Sequence, residues 1–116
     1  MPEVRIYHNP RCSKSRQTLQ LLTEKGIDPE IILYLENTPD AAELKGLLTM
    51  LGLSARDLLR KGEDAYKAKD LKDPALDDDQ LIAAMVQNPK LIERPIVVNN
   101  GKAALGRPPE RVLEIL

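Results

Sequence analysis

The sequence predicts an α/β fold in which a βαβ unit and a ββα unit share a four-stranded mixed sheet, with a helical insertion at about 38–90. Three observations carry this. Val4, Ile6 and His8 alternate with Arg5 and Tyr7, and this period of two gives way after Asn9-Pro10 to helical spacing and then to the apolar run Ile31-Ile32-Leu33-Tyr34-Leu35. Leucines at 44, 47, 48 and 51 have the i, i+3, i+4, i+7 spacing of one helix face. Near the end, Ile96-Val97-Val98 runs into Asn99-Asn100-Gly101-Lys102, and Asn-Gly suits the centre of a type I′ hairpin turn.

The elements follow in order. A first strand is expected at about 3–8, broken by Asn9-Pro10. A helix follows from about Ser13 to Lys25, with Leu19 and Leu22 on one face and Gly26 just past its end. The apolar run at 31–35 reads as a strand covered on both faces, as in parallel sheets. Asp40 can cap the leucine-striped helix, which Gly52 ends, and Ser54 can cap a short helix through Leu58-Leu59. Residues 62–76 are polar and poorly patterned, a loop with some helix. The run Asp77-Asp78-Asp79 supplies a cap and favourable charge for a helix bearing Leu81, Ile82, Met85 and Val86, and Asn88-Pro89 ends it. After the hairpin, Pro108-Pro109 starts a final helix with Val112, Ile115 and Leu116 on one face. A four-stranded sheet made this way is the thioredoxin-like arrangement, here as a single domain over residues 1–116.

Composition narrows the function. A chain of 116 residues can bury roughly 65% of the surface it exposes when unfolded, so its core is real but modest. With three Tyr, no Phe and no Trp, that core is aliphatic, and the aromatic platforms of single-strand nucleic-acid binders are absent. A net charge of −1 gives no overall field toward nucleic acid or an anionic membrane. No leader-like apolar segment stands at the N-terminus and no apolar run approaches membrane-spanning length, so a cytoplasmic location is the expectation. One cysteine and one histidine exclude an internal disulfide and a Cys- or His-cluster metal site, and no bound cofactor is expected.

That cysteine, Cys12, falls at the turn between the first strand and the first helix, as the expected N-cap. The unpaired amides of a first helical turn point toward such a position, and a helix N-terminus with nearby positive charge stabilises thiolate over thiol. Residues 4–23 carry four basic side chains and no acid, among them Arg11, Lys14 and Arg16 around the cysteine. A loop of this kind, with Ser15 and Arg16 in the first turn, can hold an oxyanion for attack by sulfur. The plainer alternative is a small buried residue at a turn. The tetrapeptide Cys12-Ser13-Lys14-Ser15 puts a hydroxyl where a dithiol motif has its resolving cysteine, so an adduct on Cys12 must be resolved by an external thiol. His8 ends the first strand, either as a neighbour that helps ionise Cys12 or as a histidine satisfied locally. Arg60 follows the short helix, while Arg94 and Arg107 each precede a proline, which restricts their backbones to extended forms. Guanidinium forks match paired oxyanion oxygens, although ordinary surface arginine is the alternative for each.

The segment His8-Asn9-Pro10-Arg11-Cys12-Ser13-Lys14-Ser15-Arg16-Gln17-Thr18 resembles the active-site loop of glutaredoxin-dependent arsenate reductases. The resemblance continues through Ile32-Leu33-Tyr34-Leu35-Glu36-Asn37, Leu59-Arg60-Lys61, Arg94-Pro95-Ile96-Val97-Val98 and Gly106-Arg107-Pro108, and so covers nearly the whole chain in order. It implies a thioredoxin-like fold with Cys12 as nucleophile, His8 as the residue assisting its ionisation, and Arg60, Arg94 and Arg107 as oxyanion ligands. Pro95 matches the fold's cis-proline. The implied reaction converts arsenate, or a similar oxyanion, to arsenite, with glutathione as co-substrate and glutaredoxin as protein partner. Better-known members carry a longer C-terminal tail, and a chain ending at Leu116 is similar to a short sub-branch of arsenate-reductase-like proteins. Two other readings compete: a monothiol oxidoreductase acting on glutathione adducts, and a non-enzymatic regulator that binds RNA polymerase. The arginine trio disfavours both, and Ser15 disfavours the Cys-x-x-Cys switch of the second.

Overall fold

The computed structural model describes residues 4–116, so the expected strand start at residue 3 lies outside them. Strands β1 (Val4–Tyr7), β2 (Glu30–Ile32), β3 (Ile96–Asn99) and β4 (Lys102–Leu105) form one sheet in the order β2-β1-β3-β4. The β1–β2 pair is parallel, while β1–β3 and β3–β4 are antiparallel. Helix α1 (Ser13–Glu24) connects β1 to β2, and a 3₁₀ helix, Pro109–Ile115, follows β4. This is the thioredoxin-like arrangement the sequence predicts. Its last helix is 3₁₀ rather than α.

The chain divides into two compact units. One consists of the residues up to Asn37 together with Arg94–Leu116, and the other is Thr38–Glu93. In the sheet unit, Val4, Ile6 and Val97 form a buried cluster with Leu22 of α1 and Val112 of the 3₁₀ helix. Burying an aliphatic side chain of this size contributes about 1.5–3 kcal/mol. Asn99 Nδ2 donates to the Ile115 carbonyl at 2.7 Å, which ties the end of β3 to the end of the 3₁₀ helix.

The hairpin forms as its sequence dictates. Asn100 and Gly101 both have positive φ, 50° and 79°, the signature of a type I′ turn, and Asn99 pairs with Lys102 across it. The expectation for 31–35 needs correction. The strand there spans only Glu30–Ile32, lies at the sheet edge, and leaves Ile31 48% exposed. The Leu33 carbonyl accepts the Glu36 and Asn37 amides at 2.9 and 2.8 Å, so the chain turns while its side chains are still apolar. The run is therefore split between an edge strand and a turn that buries Tyr34.

In the other unit, α2 (Ala41–Leu51), α3 (Ala55–Leu58), α4 (Asp64–Ala68) and α5 (Asp78–Gln87) follow one another. Asp40, Ser54 and Asp77 cap α2, α3 and α5, accepting the amides of Glu43, Asp57 and Gln80. Caps of this kind contribute about 1 kcal/mol each. Leu44, Leu47 and Leu48 are buried, and α5 packs against both α2 and α3 with Leu81, Ile82 and Met85 inward. Among the described residues no helix is long and apolar enough to cross a membrane.

Candidate active site

The loop after β1 is held by its own hydrogen bonds. The His8 amide still donates to Ile32 across the sheet at 2.9 Å. The Cys12 amide donates to the Asn9 carbonyl, and Asn9 Oδ1 accepts the Arg11 amide, both at 3.0 Å. Asn-Pro is suited to such a turn because the Asn side chain substitutes for a backbone acceptor. Arg16 Nη1 donates to the Pro10 carbonyl at 2.9 Å, so one of the predicted anion ligands also braces the loop.

Cys12 is the N-cap of α1, with extended φ and ψ of −96° and 123°, and its side chain makes no capping hydrogen bond. Its carbonyl accepts the Arg16 amide at 3.0 Å, the first bond of the helix. The amides of the first turn have no intrahelical acceptor by the geometry of any α-helix. No acidic residue lies in that turn. The thiol is partly exposed and free. A thiol at the positive end of a helix dipole, with Arg11, Lys14 and Arg16 near it in sequence, can meet an anion from solvent.

His8 and Ser15 are buried together, 6% and 0% exposed. Ser15 Oγ lies 2.6 Å from His8 Nδ1 and accepts the Asn9 amide at 3.0 Å. Burial, and after it the positive charge of Arg16, hold the His8 imidazole below its ordinary value of 6.5. The ring is therefore neutral at pH 7. This has a consequence for stability. Well above about pH 6.5 both the folded and the unfolded ring are neutral and His8 has no effect. Below it, the unfolded chain binds a proton that the native ring resists, so stability falls as pH falls, by up to about 1.4 kcal/mol per pH unit. Urea unfolding from pH 7.5 to 5.5 should show wild-type stability falling more steeply than that of His8→Gln. Equal slopes would remove His8 as the cause.

The hairpin places the two sheet-unit arginines. Its two-residue turn fixes Ile96 opposite Leu105, and the same register carried one step further sets Pro95 opposite Gly106, whose amide donates to the Pro95 carbonyl at 2.9 Å. One step beyond, Arg107 Nη1 donates to the Arg94 carbonyl at 3.3 Å. The β1–β3 register likewise sets Tyr7 opposite Ile96, so the next pair outward is His8 and Pro95. Thus the arginine pair, Pro95 and the Cys12 loop gather at one end of the sheet. Both Arg94-Pro95 and Arg107-Pro108 are cis, the second without a signal in the sequence reading. Sequence reasoning also missed Gly106. A Cβ there would run into Thr18 Oγ1 of α1 and lie 2.8 Å from Pro95 Cγ. Its signal was a glycine at a strand end, which often marks close approach of another backbone element.

Arg60 belongs to the other unit. Its amide donates to the Leu91 carbonyl at 2.8 Å beside an isolated bridge between Leu59 and Ile92. Its Nε lies 3.8 Å from Glu93 Oε1, each side chain about one-quarter exposed. Among the described residues, no group of three or more His, Cys, Asp and Glu side chains could hold a metal ion.

The chain is 63% identical over 115 residues to the Escherichia coli K12 protein YfgD, covering 98% of this chain and 97% of that one. It is 52% identical over 117 residues to an arsenate reductase of Neisseria meningitidis, with both chains covered in full. A solved structure of an arsenate reductase from Vibrio cholerae superposes with a TM-score of 0.97 at 58% identity, covering 99% of this chain and 98% of the other. The ArsC family matches residues 7–115, a span that holds the Cys12 loop, both cis-prolines and all three arginines, and the chain belongs to that family.

Proposed function

We propose that this protein reduces arsenate to arsenite, with Cys12 as nucleophile and glutathione and glutaredoxin as the external reductants. The observation that carries the reading is a lone, partly exposed thiol at the N-cap of α1, in a loop and first turn without acidic residues. Relatives of full matching length that bear the name arsenate reductase support the choice of oxyanion.

The chemistry follows from the residues. The Cys12 thiolate attacks arsenic and displaces one oxygen, which leaves as water after protonation. Arg94 and Arg107 and the first-turn amides of α1 offset the negative charge on the remaining oxygens. Glutathione condenses with the adduct and releases a second water. A thiol of glutaredoxin then attacks the glutathione sulfur. Two electrons pass to arsenic, a glutathione–glutaredoxin disulfide forms, and hydrolysis frees arsenite and Cys12. The chain has one cysteine, so no internal disulfide can take the place of the outside thiols.

The test is a coupled assay of purified protein with glutathione, glutaredoxin, glutathione reductase and NADPH. NADPH consumption should depend on arsenate and saturate with it. No arsenate-dependent turnover over a broad concentration range would sink the proposal.

A further inference from the structure

We propose that Ser15 is a positioning residue whose buried hydroxyl accepts the Asn9 amide hydrogen and donates its own hydrogen to His8 Nδ1, which holds the one histidine of the chain as its Nε2–H tautomer. The argument is one of hydrogen-bond supply. The Asn9 amide is a donor only, and it reaches Ser15 Oγ at 3.0 Å. Ser15 has no exposed surface, so its single hydrogen needs an acceptor inside the protein. His8 Nδ1, at 2.6 Å, is the neighbour able to take it. If Nδ1 carried the hydrogen instead, Oγ would accept twice and the serine hydrogen would be buried unused, which is the costlier arrangement. A neutral ring, favoured by burial, is the state that leaves Nδ1 free to accept.

The assignment changes what two predicted site residues do. Ser15, read from sequence as a substrate ligand, has no surface to offer one and instead ties the first turn of α1 back to the loop. Through Asn9, whose carbonyl takes the Cys12 amide, it fixes the backbone of the nucleophile. His8 contributes a fixed Nε2–H donor rather than a positive charge, and its Nδ1 cannot act as a base without breaking the serine bond.

With one histidine, nitrogen-15 spectra of the labelled protein report a single ring. At neutral pH the wild type should show a pyrrole-type Nε2 and an acceptor-type Nδ1, in a ratio of roughly tenfold or more over the other tautomer. Ser15→Ala should shift the Nδ1 signal, lower that ratio, and speed hydrogen exchange of the Asn9 amide about tenfold. A wild-type ring protonated at Nδ1 would overturn the proposal, and this needs no variant to fold. So would a Ser15→Ala protein in which the ring spectrum and the Asn9 amide are unchanged. Both readouts are taken without turnover, so they stand apart from whether arsenate is the substrate.

Discussion

Serine in place of Cys12 should abolish arsenate-dependent turnover, a loss on the order of 10³-fold or more. The hydroxyl is nearly the same size as the thiol but is not ionised near neutral pH, so attack on arsenic stops. The substitution is unusually clean because of where the residue sits. Cys12 occupies the N-cap of α1, and its side chain makes no capping bond. Serine is a preferred N-cap residue and can accept a first-turn amide, worth up to about 1 kcal/mol. Cys12→Ser should therefore unfold at the same temperature as the wild type or slightly above it, while its activity vanishes. No other thiol in the chain can substitute. Retained turnover would remove Cys12 as the nucleophile. Lost turnover with a collapsed fold would contradict the N-cap argument instead.

The same loop shows how far local rules reach. The N-cap position of Cys12 was legible because the period changes from two to 3.6 across Asn9-Pro10, and capping, turn and proline rules act over three or four residues. For the same reason Asp40, Ser54 and the run Asp77-Asp78-Asp79, of which Asp77 is the cap, were legible as helix starts, and Asn100-Gly101 as the hairpin turn. The register of Arg94 against Arg107 was latent in that turn, since a two-residue loop fixes every pair out to the strand ends. Three things were not legible. Periodicity cannot tell a doubly covered strand from an edge strand that turns early, and β2 is the second. The His8–Ser15 bond joins residues seven apart, across a loop whose path no propensity gives. The carboxylate beside Arg60 is Glu93, thirty-three positions away, brought near by the pairing of Leu59 with Ile92.

The charge pattern gives the loop its meaning within a near-neutral chain. Residues 4–23 hold four bases and no acid, while residues 62–79 hold seven acids against three lysines. At physiological salt, exposed charges farther apart than about 8 Å are largely screened. The net charge of −1 is therefore a poor guide to the local field at Cys12, which has Arg11, Lys14 and Arg16 beside it in sequence.

Valine or even alanine at Gly106 should damage both fold and activity, and the argument rests on steric room. Gly106 is buried at the point where the β4 end, α1 and Pro95 meet. A Cβ would be driven into Thr18 Oγ1 and to 2.8 Å from Pro95 Cγ. Neither neighbour yields easily. Thr18 Oγ1 donates to the Lys14 carbonyl at 2.8 Å and its residue is fully buried, and the proline ring is stiff. Overpacking of this kind typically costs about 1–3 kcal/mol, so Gly106→Ala should lower stability by that amount and Gly106→Val by more. The strain also has a direction. Moving the β4 end off Pro95 to make room would lengthen the bond from the Gly106 amide to the Pro95 carbonyl and draw Arg107 away from Arg94. Loss of one oriented oxyanion donor costs about 10²–10³ in rate in other enzymes. The folded fraction of Gly106→Ala should accordingly show a lower kcat/KM for arsenate as well as a lower midpoint in urea. A Gly106→Ala protein as stable as the wild type would mean that Thr18 and Pro95 give way freely, and the close approach would then have no part in placing the arginines.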